Sequence, residues 1–273
     1  MSSSITGTAV SSQSWGSVFV AEFKRIVLRP RALVALAIFA AAAILVTVGL
    51  TSATDWAQQQ MAAEGGPAPS NTFMGLGLSV SVLSFTLGLL CVSSSARDYT
   101  DGAAAATLTV VPKRSKLLSA RMVVWAAVAV VVTFVTLLVA ALIYMSRIGS
   151  FGDALKEIAC YTLGVCMLVL VAFACATLMR RGSLAVLAFL GVDLLLPMIL
   201  SLVSNFLPLN VGEAVHTITK ALPGEVCSAV GNIGGSATDP GAWTFAMVAL
   251  VAWIVVSGVV SYFSFNRYAG ASD

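Results

Sequence analysis

The sequence predicts an all-α, polytopic membrane protein: six transmembrane helices, both termini cytoplasmic, and an interfacial amphipathic helix ahead of the first span. Three observations predict it. Apolar residues make up 59% of the 273 residues and charged residues only 10%, where a soluble domain carries about 25% charged residues; the mean hydropathy of +0.96 agrees. Apolar stretches long enough to cross a hydrocarbon core about 30 Å thick recur six times. Finally, the segments between these stretches are alternately rich and poor in basic residues.

Residues 1–14 are Ser-rich and expected to be a disordered tail. No cleavable signal peptide is expected, because the first apolar run is about 21 residues long, against about 7–15 for a signal-peptide core. Residues 15–31 form the interfacial element. From Trp15 to Leu28, residues Trp15, Phe19, Phe23, Ile26 and Val27 share one side at helical spacing, with Ser17, Lys24 and Arg25 opposite. Such a helix lays its rings among acyl chains and its cations near lipid phosphates, making membrane lipids a partner; the bland alternative is a basic flank that only anchors topology. Pro30 then punctuates the entry into span one.

The transmembrane domain covers residues 32–265, with spans at Ala32–Ser52, Thr72–Ala96, Met122–Met145, Ile158–Met179, Leu184–Ser204 and Ala242–Phe265, before a cytoplasmic tail at 266–273. All six lack Lys and Arg, and only the fifth holds an acid, Asp193. Spans four and five are separated by just Arg180, Arg181 and Gly182. Burying an arginine at the bilayer centre costs roughly 2.5–3.5 kcal/mol, so a tight hairpin at the surface is expected.

Orientation follows from the charges. Twelve of the fifteen basic residues fall in one set of segments: Lys24, Arg25, Arg29, Arg31, Arg97, Lys113, Arg114, Lys116, Arg121, Arg180, Arg181 and Arg267. The opposite set holds only Arg147, Lys156 and Lys220, beside the acids Asp55, Glu64, Asp153, Glu157, Glu213, Glu225 and Asp239. The positive-inside rule puts the first set in the cytoplasm of a multi-pass protein of the cell (plasma, inner) membrane. No nucleic-acid partner is expected.

The segment 97–121 between spans two and three is the most informative. In "ARDYTDGAAAATLTVVPKRSKLLSARMVV", Asp98 and Asp101 can cap a helix start, Gly102 to Val110 is a nearly uncharged helical run, and Pro112 breaks it. Lys113 to Arg121 is a basic amphipathic lead into span three. This pattern reads as a helix that docks into a groove on a cytoplasmic partner, or as an ordinary basic loop.

The order of acid, aromatic, Gly, small-residue helix with Thr-Leu, Pro, basic pair and Leu-Leu resembles permeases of the type 2 ATP-binding-cassette (ABC) transporter family. The lead-in "AEFKRIVLRPRAL" resembles that family's N-terminal interfacial helix, in which an acid and a basic residue precede the first span. The resemblance implies that Asp98, Tyr99, Asp101, Gly102, Thr107 and Leu108 start and form a coupling helix, closed by Pro112, Lys113 and Arg114. It also implies an exporter built from two such subunits, identical or related, on two copies of an ABC ATPase subunit. The run Ala103–Ala106 departs from the pattern in offering few side-chain handles, so contact would rest on the helix ends and the basic flank.

The chain contains no GxxxxGK[ST] phosphate loop, so ATP and Mg²⁺ are expected on a separate ATPase and no cofactor in this chain. Neither HExxH nor GxSxG is present, and no enzyme activity is expected of it. The cysteines Cys91, Cys160, Cys166, Cys175 and Cys227 form no CxxC; four lie in apolar runs, and Cys227 falls in an outer loop without an obvious partner.

Polar residues in the spans are the remaining candidates. Span two carries Ser79, Ser81, Ser84, Thr86, Ser93, Ser94 and Ser95, which serve close helix packing or line a path. Asp193 belongs to a pathway, to a polar dimer contact, or to a structural hydrogen bond. Pro197, four residues on, has no amide hydrogen for the Asp193 carbonyl, so a kink is expected there. In the outer segment 205–241, Val211 to Leu222 reads as a short helix broken by Pro223 and Gly224, followed by turn-rich sequence. The resemblance implies re-entrant outer helices here and makes Glu213, His216 and Glu225 gate candidates; a metal role for the single histidine is a thin alternative to a solvated or capping one. A different class also fits the sequence: a non-transporting membrane anchor or regulator of a cytoplasmic protein.

Overall fold

The computed structural model describes residues 14–27, 30–63, 74–100, 114–143, 151–232 and 240–270. Among these every regular element is helical. The helices are α1 (Trp15–Val27), α2 (Pro30–Ala63), α3 (Met74–Thr100), α4 (Arg114–Ile143) and α5 (Phe151–Met179). The fifth crossing is composite: α6 (Gly182–Leu190), a π-helical turn (Gly191–Leu195) and α7 (Leu196–Ser204). Two short helices follow, α8 (Leu209–Lys220) and α9 (Pro223–Asn232), and α10 (Pro240–Gly270) ends the described chain. Among the described residues, six stretches are long and apolar enough to cross a membrane: Leu33–Leu50, Ser79–Tyr99, Ser115–Ile143, Ala154–Met179, Gly182–Ser204 and Gly241–Arg267. They are the six expected spans, displaced by a few residues at their ends.

Composition dictates these elements. The spans have apolar residues all round, so they must be solvated by lipid or by one another. Pro30, Pro223 and Pro240 each stand at the first position of a helix, where a missing amide hydrogen costs nothing. The expected hairpin between spans four and five is present. Arg180 adopts φ 55°, its N–H donates to Ala176 O at 3.1 Å, and its guanidinium donates to Ser264 O on α10 at 2.9 Å. Ser264 Oγ returns a bond to Thr177 O at 2.6 Å, tying the ends of α5 and α10 together.

α5 is the hub. It is the most buried of the spans and packs against α3, α4, α6, α9 and α10. Close approach depends on missing side chains: a Cβ on Gly88 would lie 2.3 Å from the ring of Phe189, and one on Gly231 only 1.8 Å from the ring of Tyr161. Thr47 and Ser79 share a buried hydrogen bond that joins α2 to α3. The hydroxyls of Ser81, Ser84, Thr86 and Ser93 in span two donate to carbonyls of their own helix.

Several expectations need correction. Asp98 caps no helix start: with Tyr99 it lies in the last turn of α3, which runs on to Thr100. Arg114 is the first residue of α4, just ahead of the apolar span Ser115–Ile143. Glu157, grouped with the outer acids by its place in sequence, is buried at 4% exposure, because α5 begins at Phe151 and carries it inward. Cys227 is not in a loop; it is buried on α9, and a Cβ on Gly164 would lie 2.8 Å from its sulfur. The tail at 1–13 and the coupling residues Asp101, Gly102, Thr107, Leu108, Pro112 and Lys113 lie outside the described residues.

Candidate functional site

Two constellations stand out, one at each end of the bundle. The first is a ring of four charges where α1 meets the last turn of α3 and the second turn of α4. An α-helix rises 1.5 Å per residue, so Asp98 lies about 36 Å from the start of α3 and Arg121 about 33 Å from the end of α4. Both therefore stand at the margin of a hydrocarbon core about 30 Å thick. There Arg121 approaches Glu22 at 3.3 Å and Asp98 at 3.5 Å. Arg25 pairs with Asp98 and reaches Glu22 at 3.6 Å. Glu22 and Arg121 are buried, at 4% and 5% exposure.

α1 is amphipathic as expected, but its polar face serves another end. Trp15, Phe19 and Phe23 stack in a row, and Trp15 and Phe23 are exposed, as membrane-facing rings should be. Arg25 turns inward to the carboxylates rather than out to lipid phosphates, because Asp98, at the negative C-terminal end of α3, offers a better partner. Trp15 Nε1 also donates to Ser119 Oγ at 3.2 Å, fixing the start of α1 on α4. Asp98 and Arg121 stand on the two sides of segment 101–113, so the ring binds both of its roots to α1.

The second constellation is a cavity of about 1000 Å³ toward the opposite end. Ser81, Ser84 and Thr86 of α3 line it, with Asp193 from the π-helical turn and Glu225 and Ser228 from α9. The turn explains how Asp193 gets there. Pro197 cannot supply a bond to the Asp193 carbonyl, and the Leu196 N–H donates to Gly191 O instead, widening the helix by one residue. The expected kink is thus a bulge, and it aims Asp193 at α9. A Cβ on Gly224 would lie 3.0 Å from Asp193 Oδ1 and 3.1 Å from its backbone oxygen. Gly164, the seat of Cys227, is about 20 Å along α5 from Phe151, so α9 is inserted among the spans rather than laid over them.

Of the pathway residues expected from sequence, Ser81, Ser84 and Asp193 meet at this cavity, while Pro197 is buried and shapes the wall without lining it. The gate candidates separate. Glu225 lines the cavity, whereas Glu213 and His216 are exposed on α8 and take no part in it. Among the described residues no group of His, Cys, Asp and Glu is placed to hold a metal ion. Sequence reasoning missed the ring as a unit. Its one signal was an acid, Glu22, in an otherwise basic flank. The residues of α9 by themselves read as a turn, and only the family resemblance implied a helix in this segment.

Neither a protein-family model nor a curated protein matches the chain.

Proposed function

We propose that this chain is the membrane-spanning permease subunit of an ATP-driven transporter of the type 2 ABC class, working as an exporter in the cell membrane. Its termini and segment 97–121 face the cytoplasm. Two such subunits, identical or related, form the pathway, and two copies of a separate ATPase subunit bind ATP and Mg²⁺ and drive it. The residues Asp101, Gly102, Thr107 and Leu108 are the ones that meet the ATPase.

The observation that carries the reading is the charge ring. A segment that transmits force must be stiffly joined to the helices it moves, and the ring joins the roots of segment 101–113 to α3, α4 and α1 together. Three of its four contacts are ion pairs at 3.3–3.6 Å, and the charges balance two against two. The cavity at the other end supplies a place for cargo, and the inserted α9 supplies a closure that movement of α3 and the π-helical turn can shift.

The test is purification of the chain from native membranes. A phosphate-loop ATPase should accompany it, and Gly102→Pro or Leu108→Asp should separate ATP hydrolysis from transport without loss of membrane insertion. An assembly without any nucleotide hydrolase would instead support the anchor or regulator reading.

A further inference from the structure

We infer that the 1000 Å³ cavity is a binding site for an amphipathic organic ammonium ion, with Asp193 meeting its charge and the serine and threonine hydroxyls accepting its N–H groups. The inference rests on the permease reading for calling that ion the cargo; the binding site itself does not.

Size comes first. Sites for small molecules span roughly 300–1000 Å³, so this cavity has room for a drug-sized molecule. Much of its wall is apolar, including Leu50, Val80, Phe85 and Leu168, and suits a hydrocarbon or aromatic body. Its charge is one-sided: among the described residues Asp193 and Glu225 line it and no Lys, Arg or His does. Within the described residues Asp193 makes no hydrogen bond or ion pair. A carboxylate standing at the middle of a span without a counter-charge is expensive unless a cation or water completes it.

The hydroxyls decide between ligand classes. Each is one donor and two acceptor positions. Ser81 Oγ donates to Gly77 O at 3.1 Å, Ser84 Oγ to Ser81 O at 3.0 Å, Thr86 Oγ1 to Val82 O at 2.8 Å, and Ser228 Oγ to Gly224 O at 3.1 Å. All four donors are thus consumed by the helices that carry them. What these side chains present to the cavity is lone pairs. Tyr161 and Cys227 also line the cavity and each carries a donor, but the acceptors of these four side chains grouped with two carboxylates disfavour an anion, whereas an ammonium group is met by hydroxyl lone pairs and carboxylate together.

The test is equilibrium binding to the purified full chain in phosphatidylcholine nanodiscs, against empty discs, with ethidium as probe because it joins an aromatic cation to amine donors. Ethidium should bind saturably and be displaced by tetraphenylphosphonium but not by the neutral triphenylphosphine oxide. Asp193→Asn should weaken ethidium by about tenfold or more, equivalent to 1.4 kcal/mol of lost attraction. Glu225→Gln, at the exposed rim, should weaken it less. Ser84→Phe, which fills the cavity, should abolish binding in a chain that still elutes as a single species. If Asp193→Asn does not fold, the cation preference of the unaltered chain and the Ser84→Phe and Glu225→Gln variants decide the matter. Equal displacement by the neutral compound, an undiminished affinity in Asp193→Asn, or no saturable binding would overturn the inference. None of these measurements needs an ATPase, so failure of the transporter reading and failure of the ligand site are separately visible.

Discussion

Arg121 shows how much can hang on one side chain in a membrane protein. Its guanidinium is buried between Glu22 and Asp98, and removing one partner of a buried pair leaves a charge without compensation, at about 3–5 kcal/mol. Arg121→Met is therefore expected to lower unfolding free energy by about 3 kcal/mol, measured by denaturant titration in mixed micelles. The double variant Arg121→Met with Glu22→Leu should recover most of that loss, since Arg25 and Asp98 remain as a neutral pair. If the two single losses simply add, the residues are not coupled and the ring does not act as a unit. None of this pairing was legible in the sequence. Glu22, Arg25, Asp98 and Arg121 are scattered over a hundred positions, and a linear reading gives each only its local role: flank, cap or topology signal. Asp193 was legible, because an acid inside an apolar span stands out without knowledge of its neighbours.

Elements were legible in proportion to their length. The long spans declare themselves by uninterrupted hydrocarbon, and the Arg180–Gly182 hairpin by the cost of burying arginine. The break at Pro197 was legible as a missing hydrogen bond, though its form, a widened turn, depends on how the flanking helices pack. α9 was not legible. Ten residues with two interior glycines read as turns in isolation, and the element is explained only by what it fills: Gly231 receives the ring of Tyr161 and Gly164 receives Cys227. Small residues at such seats let helices approach closely where lipid offers no hydrophobic drive. Gly231→Ala should accordingly unseat α9, destabilising the protein by about 1–3 kcal/mol, the usual cost of overpacking. Shortening the opposing side chain, Tyr161→Leu, should reduce that penalty in a thermal-unfolding double-mutant cycle. An unchanged penalty would mean that α9 is held by other contacts.

At the scale of the molecule, six candidate spans would bring the described ends of the chain to one face, and the proposed function requires that face to be the cytoplasmic one, as the positive-inside rule expects from the distribution of Lys and Arg. In a background with the five native cysteines replaced, Glu213→Cys on the exposed side of α8 should react with an impermeant maleimide in intact cells. Ser115→Cys, exposed beside the ring, should react only after permeabilisation. The reverse pattern would put segment 101–113 beyond the reach of a cytosolic ATPase and remove the basis for the proposed function.

Burial is shared very unequally among the spans. α5 has protein on nearly every side, whereas α2, the α6–α7 crossing and α10 turn most of their surface outward. Acyl chains therefore press on the staves and hardly touch the post. A thinner or thicker membrane is accommodated by tilting whatever helices contact lipid, and here that means rotation about a nearly stationary axis, with the ring at one set of joints and the cavity at the other. A change of acyl length is therefore expected to alter the angles at the ring and at the cavity without a lipid touching either.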